Sequence, residues 1–138
     1  MLRTWAVTAR SISALLDDST TQAVRRLPAG SALQPFAYGL ELDQRWISAA
    51  SVFDDSPNFV TRALPPGLQG SGQPLSTRAA LTQAAEIPAL RVRALIGDDA
   101  LTATLRAHGI DASATNGSRA SLPEMANAFR TLANDGIW

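Results

Sequence analysis

Apolar residues recur at helical spacing in the segment that begins at residue 31. They are separated by three and then four positions, at Leu33, Phe36 and Leu40. This spacing places them on one face of an α-helix. Ser31 can cap the first turn through its side-chain oxygen, and the proline and glycine of residues 27–30 indicate a loop before it. The pattern therefore predicts a helix over residues 31–43.

Four further helices are predicted from capping residues and apolar spacing. They begin near Ser76, near Pro88, at Asp98 or Asp99, and at Ser121. Gly109 is expected to end the third of these helices. Glu124 follows Ser121 by three residues, which is typical of a capping box at a helix start. The last helix should continue to about Ala133.

The remaining segments predict less regular structure. Two short strands are expected within the lead-in, residues 1–27. Residues 51–75 are rich in proline and glycine and predict a long, largely irregular loop. The pattern favours one mostly helical domain, in which residues 28–110 form the main helical region and residues 121–138 a C-terminal helix.

Composition narrows the classes of function. The chain has 138 residues, of which 46% are hydrophobic and 17% charged, as expected of a globular protein. The formal net charge is zero, so no nucleic-acid partner is expected. There is no cysteine and a single histidine, and no apolar run reaches the roughly 18 residues of a membrane span. We therefore expect no cofactor, no metal and no membrane span in this chain.

The most informative chemistry lies in residues 28–39. This segment resembles the nucleophile segment of penicillin-binding transpeptidases, which reads roughly P-G-S-x-x-K-P-F-x-Y. In that family the serine attacks an acyl donor, and the lysine takes or relays its proton. Ser31 occupies the nucleophile position, but Gln34 stands in place of the lysine. All 12 basic residues are arginine, which stays protonated and cannot replace that lysine.

Other segments match the same family in the same order. Residues 48–55 resemble its P-x-S-L-L-x-D run, residues 75–81 its V-S-x-R-x-A-L run, residues 87–90 its x-P-A-V run, and residues 122–136 its S-L-L-E-L-x-x-A-Y-x-x-L-A-N-G-G run. The chain is thus similar to the transpeptidase domain of class A penicillin-binding proteins, especially those of the 1C type. The resemblance implies a mostly α, helical remnant of the α+β penicillin-binding protein and serine β-lactamase-like fold.

The chain departs from the family at its other two motifs. The S-x-N motif should fall just before Ile87, where Ala84 and Glu86 replace its serine and asparagine. In the family the K-T-G motif lies on a strand that follows the last helix. This sequence ends at Trp138, before the position at which the resemblance would place that strand. The resemblance therefore implies a truncated, motif-degenerate domain that is not an active enzyme. A carboxylate at Glu86 can in principle act as a base, although a solvated helix residue is the simpler interpretation.

Three functions stay open. The first is a catalytically silent transpeptidase-like protein that binds a peptidoglycan stem peptide or an envelope protein. The second is a fragment of a split or truncated D,D-transpeptidase, active only with a complementary chain. The third is a helical interaction domain of unrelated role.

Partners and location are expectations of the resemblance. Phe59 and Arg62 are candidate binding residues in the proline-rich loop, with the arginine available to a carboxylate. Helices without the family's sheet would leave apolar stripes uncovered, which predicts a homodimer or an obligate partner. The family implies the periplasm, but the sequence shows no export signal, so the cytoplasm is expected if Met1 is the true start.

Overall fold

The computed structural model describes residues 25–57, 68, 70–112 and 118–134. Two compact units divide the chain. The terminal unit comprises Met1–Pro28 and Arg106–Trp138, and the central unit comprises Ala29–Leu105. The two strands expected within residues 1–24 lie outside the described residues.

Helices dominate the described part of the chain, and its strands are two or three residues long, so the predicted mostly α class is confirmed. In chain order the elements are β1 (Leu27–Pro28), a 3₁₀-helix (Gly30–Leu33), α1 (Gln34–Asp43), β2 (Val52–Asp54), β3 (Pro74–Ser76), α2 (Thr77–Thr82), α3 (Glu86–Ile96), α4 (Asp98–Ala107), β4 (Arg119–Ala120) and α5 (Leu122–Ala133).

The core of the central unit forms where α1 packs against α3, with α2 contacting both helices. Its largest apolar side chains are almost completely removed from solvent: Phe36, Tyr38, Ile87, Val92 and Leu105. Burying one side chain of this size contributes about 1.5–3 kcal/mol. The burial of Phe36 and Tyr38 against α3 therefore stabilises the position of α1, the helix that follows Ser31.

Strands β2 and β3 pair as a short antiparallel ribbon and so bring together the two ends of the proline- and glycine-rich segment. Phe53 pairs with Leu75 at its centre. The sequence predicted neither strand, because each is stabilised by a partner about 20 residues away in the sequence. Pairing between such short segments leaves no periodic pattern that a sequence window can detect.

Asp55 ties the residues before β3 to the end of β2. Its backbone N–H donates to the Gln73 carbonyl at 3.3 Å, and its own carbonyl accepts from the Gly72 N–H at 3.2 Å. The Asp55 carboxylate accepts from the Ser71 N–H at 2.6 Å. A Cβ at Gly70 would lie 1.8 Å from the Asp55 carbonyl oxygen, so the backbone approaches here at a distance that only glycine permits.

Helices α1 and α2 end in the same way, each with a left-handed residue that is not glycine. Arg45 has φ 60° and Ala84 has φ 51°. The two ends carry matching pairs of backbone hydrogen bonds: Trp46 N–H to Glu41 O and Arg45 N–H to Leu42 O after α1, and Ala85 N–H to Ala80 O and Ala84 N–H to Leu81 O after α2. These pairs form two Schellman motifs, which satisfy the last helical carbonyls.

The predicted helix starts are confirmed at two serines. The Ser76 hydroxyl accepts from the Ala79 N–H at 3.2 Å, and Ser121 forms a capping box with Glu124. Ser31 does not cap a helix, contrary to the prediction, because it lies inside the 3₁₀-helix and neither that helix nor α1 has a side-chain cap.

Helices α3 and α4 start within two residues of the predicted positions. Helix α3 starts at Glu86, two residues before Pro88. Helix α4 starts at Asp98, so Asp98 and Asp99 lie in its first turn. Gly109, with φ 77°, follows the end of α4 as predicted.

The terminal unit is stabilised by one arginine. Arg26 donates from Nε to Glu124 Oε2 at 3.2 Å and from Nη2 to Glu124 Oε1, and from Nη1 to Asp111 Oδ2 at 2.7 Å. The Arg119 guanidinium in turn donates to the Arg26 carbonyl. Strand β1 pairs with β4 here, which corrects the loop predicted for residues 27–30. The partner strand lies more than 90 residues away, beyond the reach of local turn signals.

Candidate functional site

The predicted nucleophile position lies in a short helical lead into α1. Ser31 is exposed in the 3₁₀-helix, and Gln34 is the first residue of α1 and half-buried. The backbone N–H of Gln34 donates to the Ser31 carbonyl, so the two positions are one turn apart. Within the described residues, no side-chain hydrogen bond connects the Ser31 hydroxyl to a base.

The positions predicted to replace the S-x-N motif lie in the turn between α2 and α3. Ala84 is exposed at the left-handed position of the Schellman motif, and Glu86 is exposed in the first turn of α3. The alanine methyl group can neither donate nor accept a hydrogen bond. Glu86 thus resembles the solvated helix residue of the simpler interpretation.

The two candidate binding residues, Phe59 and Arg62, lie outside the described residues. Their roles stay predictions. The described residues nearest to them in sequence are Ser56 and Pro57 on one side and Leu68 on the other.

The buried face of α1 is offset from the predicted stripe. Its buried residues are Phe36, Ala37, Tyr38 and Glu41, whereas the predicted Leu33 and Leu40 are only half-buried. The face turned toward the core therefore carries a phenol and a carboxyl group. Sequence reasoning singled out neither as a buried polar group, because it placed Leu33, Phe36 and Leu40 on the buried face.

Tyr38 combines an aromatic contact with an unsatisfied hydroxyl. Its ring meets the Phe53 ring edge to face, with centroids 6.3 Å apart and an interplanar angle of 83°. The Tyr38 hydroxyl is buried and finds no hydrogen-bond partner among the described residues. Burial, and secondarily the negative charge of Asp55, raises the pKa of Tyr38 to about 12. This phenol therefore stays protonated and cannot serve as a base near neutral pH.

Glu41 lies one helical turn after Tyr38 on the same face. Its exposed fraction is 0%, and neither carboxyl oxygen has a hydrogen-bond partner in the part of the chain that the structure describes. Burial raises the pKa of the Glu41 carboxyl above the ordinary value of 4.5. Residues 37, 38 and 41 share one helical face, but no signal in the sequence shows that this face turns toward the core.

Arg91 is a second residue that sequence reasoning did not single out. Its Nη2 donates to the Ser56 carbonyl at 3.3 Å and lies 3.8 Å from Asp54 Oδ2. The Asp54 carboxylate also accepts from the Ser56 N–H at 3.0 Å and from the Ser56 hydroxyl at 2.9 Å. Arg91 thus joins α3 to the end of β2, which makes it a structural link between those two elements.

Among the described residues, the Ser31 hydroxyl has no hydrogen bond to a base, Ala84 has only a methyl group, and the Glu41 carboxyl is removed from solvent. Within the described residues, no group of three acidic, histidine or cysteine side chains could hold a metal ion. The same residues include no helix that is both long and apolar enough to cross a membrane.

Comparison with known proteins gives one informative similarity. The chain is 34% identical over 120 residues to penicillin-binding protein 1C of Escherichia coli (strain K12). The match covers 78% of this chain and 16% of that protein. No protein-family model matches the chain. The chain therefore contains a region related to a penicillin-binding protein, and it spans about a sixth of that relative's length.

Proposed function

We propose that this chain is a catalytically silent domain related to penicillin-binding proteins, which associates with peptidoglycan or with a partner protein of the cell envelope. One observation carries the proposal. Helix α1 retains a packed inner face, with Phe36 and Tyr38 fully buried, although Gln34 stands where the resemblance implies a catalytic lysine. The scaffold of the nucleophile segment is therefore kept without its proton acceptor.

The chemistry of the Ser31 position supports catalytic silence. A serine hydroxyl is a weak nucleophile near neutral pH unless an adjacent group removes its proton. The Gln34 amide has no useful basicity, and the chain contains no lysine. The loss of one member of such a catalytic set commonly costs several orders of magnitude in rate. Ala84 and Glu86 further lack the hydroxyl and amide that the family uses at their positions.

The binding part of the proposal concerns residues 56–75. Arg62 is the only charged residue between residues 56 and 75, and a guanidinium recognises a carboxylate by paired hydrogen bonds. A peptidoglycan stem peptide offers such carboxylates, and Phe59 can add apolar contact. A homodimer or an obligate partner would cover exposed apolar side chains such as Trp46, which is 65% exposed.

A second function is favoured by the coverage of the relative. Since the match spans 16% of penicillin-binding protein 1C, this chain can also be one part of a split or truncated D,D-transpeptidase. A complementary chain would then supply the lysine that this sequence lacks. In this case the activity belongs to the assembled pair and not to the chain alone.

Labelling with benzylpenicillin tests catalytic silence. Intact mass spectrometry of the isolated chain should show no penicilloyl adduct, and the Gln34→Lys variant should show none either, because the other motifs are still replaced. An adduct on Ser31 of the unmodified chain would refute the proposal. An adduct that forms only after the flanking reading frame is co-expressed would support the split-enzyme alternative instead.

Binding is tested separately with a purified muropeptide. Isothermal titration of the parent, Arg62→Gln and Arg78→Gln chains compares two arginines, the second of which is exposed on α2. We expect loss of binding only for Arg62→Gln. Equal binding by all three chains would exclude Arg62 as the contact, and absence of binding by the parent would exclude the peptide as the ligand.

A further inference from the structure

Glu41 is a buried acid for which the described residues provide no hydrogen-bond partner. Its exposed fraction is 0%, and both carboxyl oxygens are without a hydrogen-bond partner among the described residues. The backbone around it is fixed, because the Glu41 carbonyl accepts from the Trp46 N–H at 3.1 Å in the Schellman motif that ends α1. The backbone of this buried residue therefore belongs to the turn that ends the helix.

The charged groups on α2 and α3 do not neutralise this carboxyl. Arg78 of α2 is exposed. On α3, Arg91 bonds the Ser56 carbonyl through Nη2, and its Nε is buried with no hydrogen-bond partner among the described residues, so it does not bond Glu41. Arg93 pairs with Asp98 at 3.3 Å, and Glu86 is exposed.

The other neighbours supply no buried cation among the described residues. The 3₁₀-helix that contacts α1 has no titratable residue, and Asp43 and Arg45 at the end of α1 are both exposed. Asp54 and Asp55, at the end of the ribbon whose Phe53 meets the Tyr38 ring, are acids and cannot neutralise a carboxylate.

An ionised carboxylate is unfavourable in such surroundings, and buried groups of this kind take up a proton and become neutral instead. We propose that Glu41 is a proton-binding site coupled to folding: the folded central unit holds it as a neutral carboxylic acid, and the proton leaves when the C-terminal turn of α1 opens. The step moves one proton from the carboxyl group to solvent and requires no other reactant.

The sign of the pH dependence follows directly. At low pH the carboxyl is protonated in both the folded and the unfolded chain, so the full stability is present. Above the ordinary value of 4.5 only the unfolded chain releases the proton, and the unfolding equilibrium constant increases by up to about tenfold per pH unit. The increase stops when the folded chain also ionises.

Two matched variants test the proposal. Glu41→Gln replaces the acid by an uncharged group of the same size, and Asp43→Asn does the same at an exposed acid two residues away. Denaturant unfolding is followed by circular dichroism between pH 4.5 and about pH 8. Comparing each variant with the parent cancels every pH-dependent contribution that the three chains share.

We expect the difference in stability between Glu41→Gln and the parent to grow with pH, while the Asp43→Asn difference stays constant. Parallel pH profiles for Glu41→Gln and the parent would overturn the proposal. Infrared spectroscopy of the unmodified folded chain at pH 7 gives a second readout if the variant does not fold. A protonated carboxyl stretch that disappears on unfolding supports the proposal, and its absence refutes it.

Discussion

The carboxyl groups of Glu41 and Glu124 lie in opposite environments, one without and one with hydrogen-bond partners among the described residues. At the end of α1, Glu41 is fully buried, and its carboxyl oxygens have no hydrogen-bond partner among the described residues. At the start of α5, Glu124 accepts from the Arg26 guanidinium, the Ser121 N–H and the Ser121 hydroxyl. Burial raises the pKa of the first, whereas the Arg26 hydrogen bond lowers the pKa of the second to about 2.

The difference teaches that the two regions are stabilised by different forces. The α1 region depends on apolar burial and tolerates an unsatisfied carboxyl group there. The α5 start depends on hydrogen bonds between charged groups, which salt and acid weaken. Substitutions in each region can test whether its stability depends on apolar burial or on charged hydrogen bonds.

Replacing Phe36 by alanine should produce the largest loss. Phe36 is 1% exposed, and truncating a buried phenylalanine typically costs about 3–5 kcal/mol of unfolding free energy. Denaturant titration measures the loss, with Leu42→Ala as the control because Leu42 is exposed on the same helix. Equal losses for the two variants would contradict the packing of α1 described above.

The charged cluster should respond to acid in the opposite sense to Glu41. Because the pKa of Glu124 is lowered, its contribution is present above 4.5 and is lost as the pH falls through about 2. Glu124→Gln should thus be less stable than the parent at neutral pH, and the two should converge on acidification. Chemical denaturation at several pH values measures this convergence.

Glu86→Gln is the control, since Glu86 also lies in the first turn of a helix but is exposed. Its effect should be smaller. A difference between Glu124→Gln and the parent that persists unchanged in acid would remove the support for the Arg26 pairing.

Replacing Ser121 and Ser31 by alanine, one at a time, distinguishes a serine that caps a helix from one that does not. Ser121→Ala removes the capping oxygen of α5 and should cost about 1 kcal/mol. Ser31→Ala should stay within about 0.5 kcal/mol, because that serine is exposed and caps no helix. Thermal unfolding of both variants provides the comparison, and a larger effect at residue 31 would restore the cap that the sequence predicted.

The left-handed residue after α2 offers a smaller, stabilising change. Ala84→Gly should raise the unfolding free energy by about 0.5–1 kcal/mol, because glycine adopts positive φ without the steric cost of a Cβ. Gln83→Gly is the control, since Gln83 has an ordinary helical φ of −87° and should lose stability. The opposite order of the two variants would argue against the Schellman geometry.

Local signals predicted the helices well where a single residue determines the start. Ser76 and the Ser121–Glu124 pair act within one turn, so the sequence contains all of the relevant information. The paired strands were missed because each depends on a distant partner, as in the pairing of Leu27 with Ala120.

The sequence predicted the spacing of the candidate site residues along the helix, but not which side chains around them are buried. Sequence placed Ser31 and Gln34 one helical turn apart, which the structure confirms. It could not locate the buried acid, because whether Glu41 faces solvent depends on how α1 rotates against α3. That rotation is determined by packing around Phe36 and Tyr38 and not by the polarity of residue 41.

The close approach at Gly70 limits how this sequence can vary. Every other amino acid has a Cβ, and at this position that atom would meet both the Asp55 carbonyl oxygen at 1.8 Å and the Ile87 side chain at 2.7 Å. A pool of randomised genes selected only for folding should therefore retain glycine at codon 70. Gly72, whose Cβ would meet nothing within 4 Å but whose φ is +67°, should instead drift toward asparagine as well as glycine.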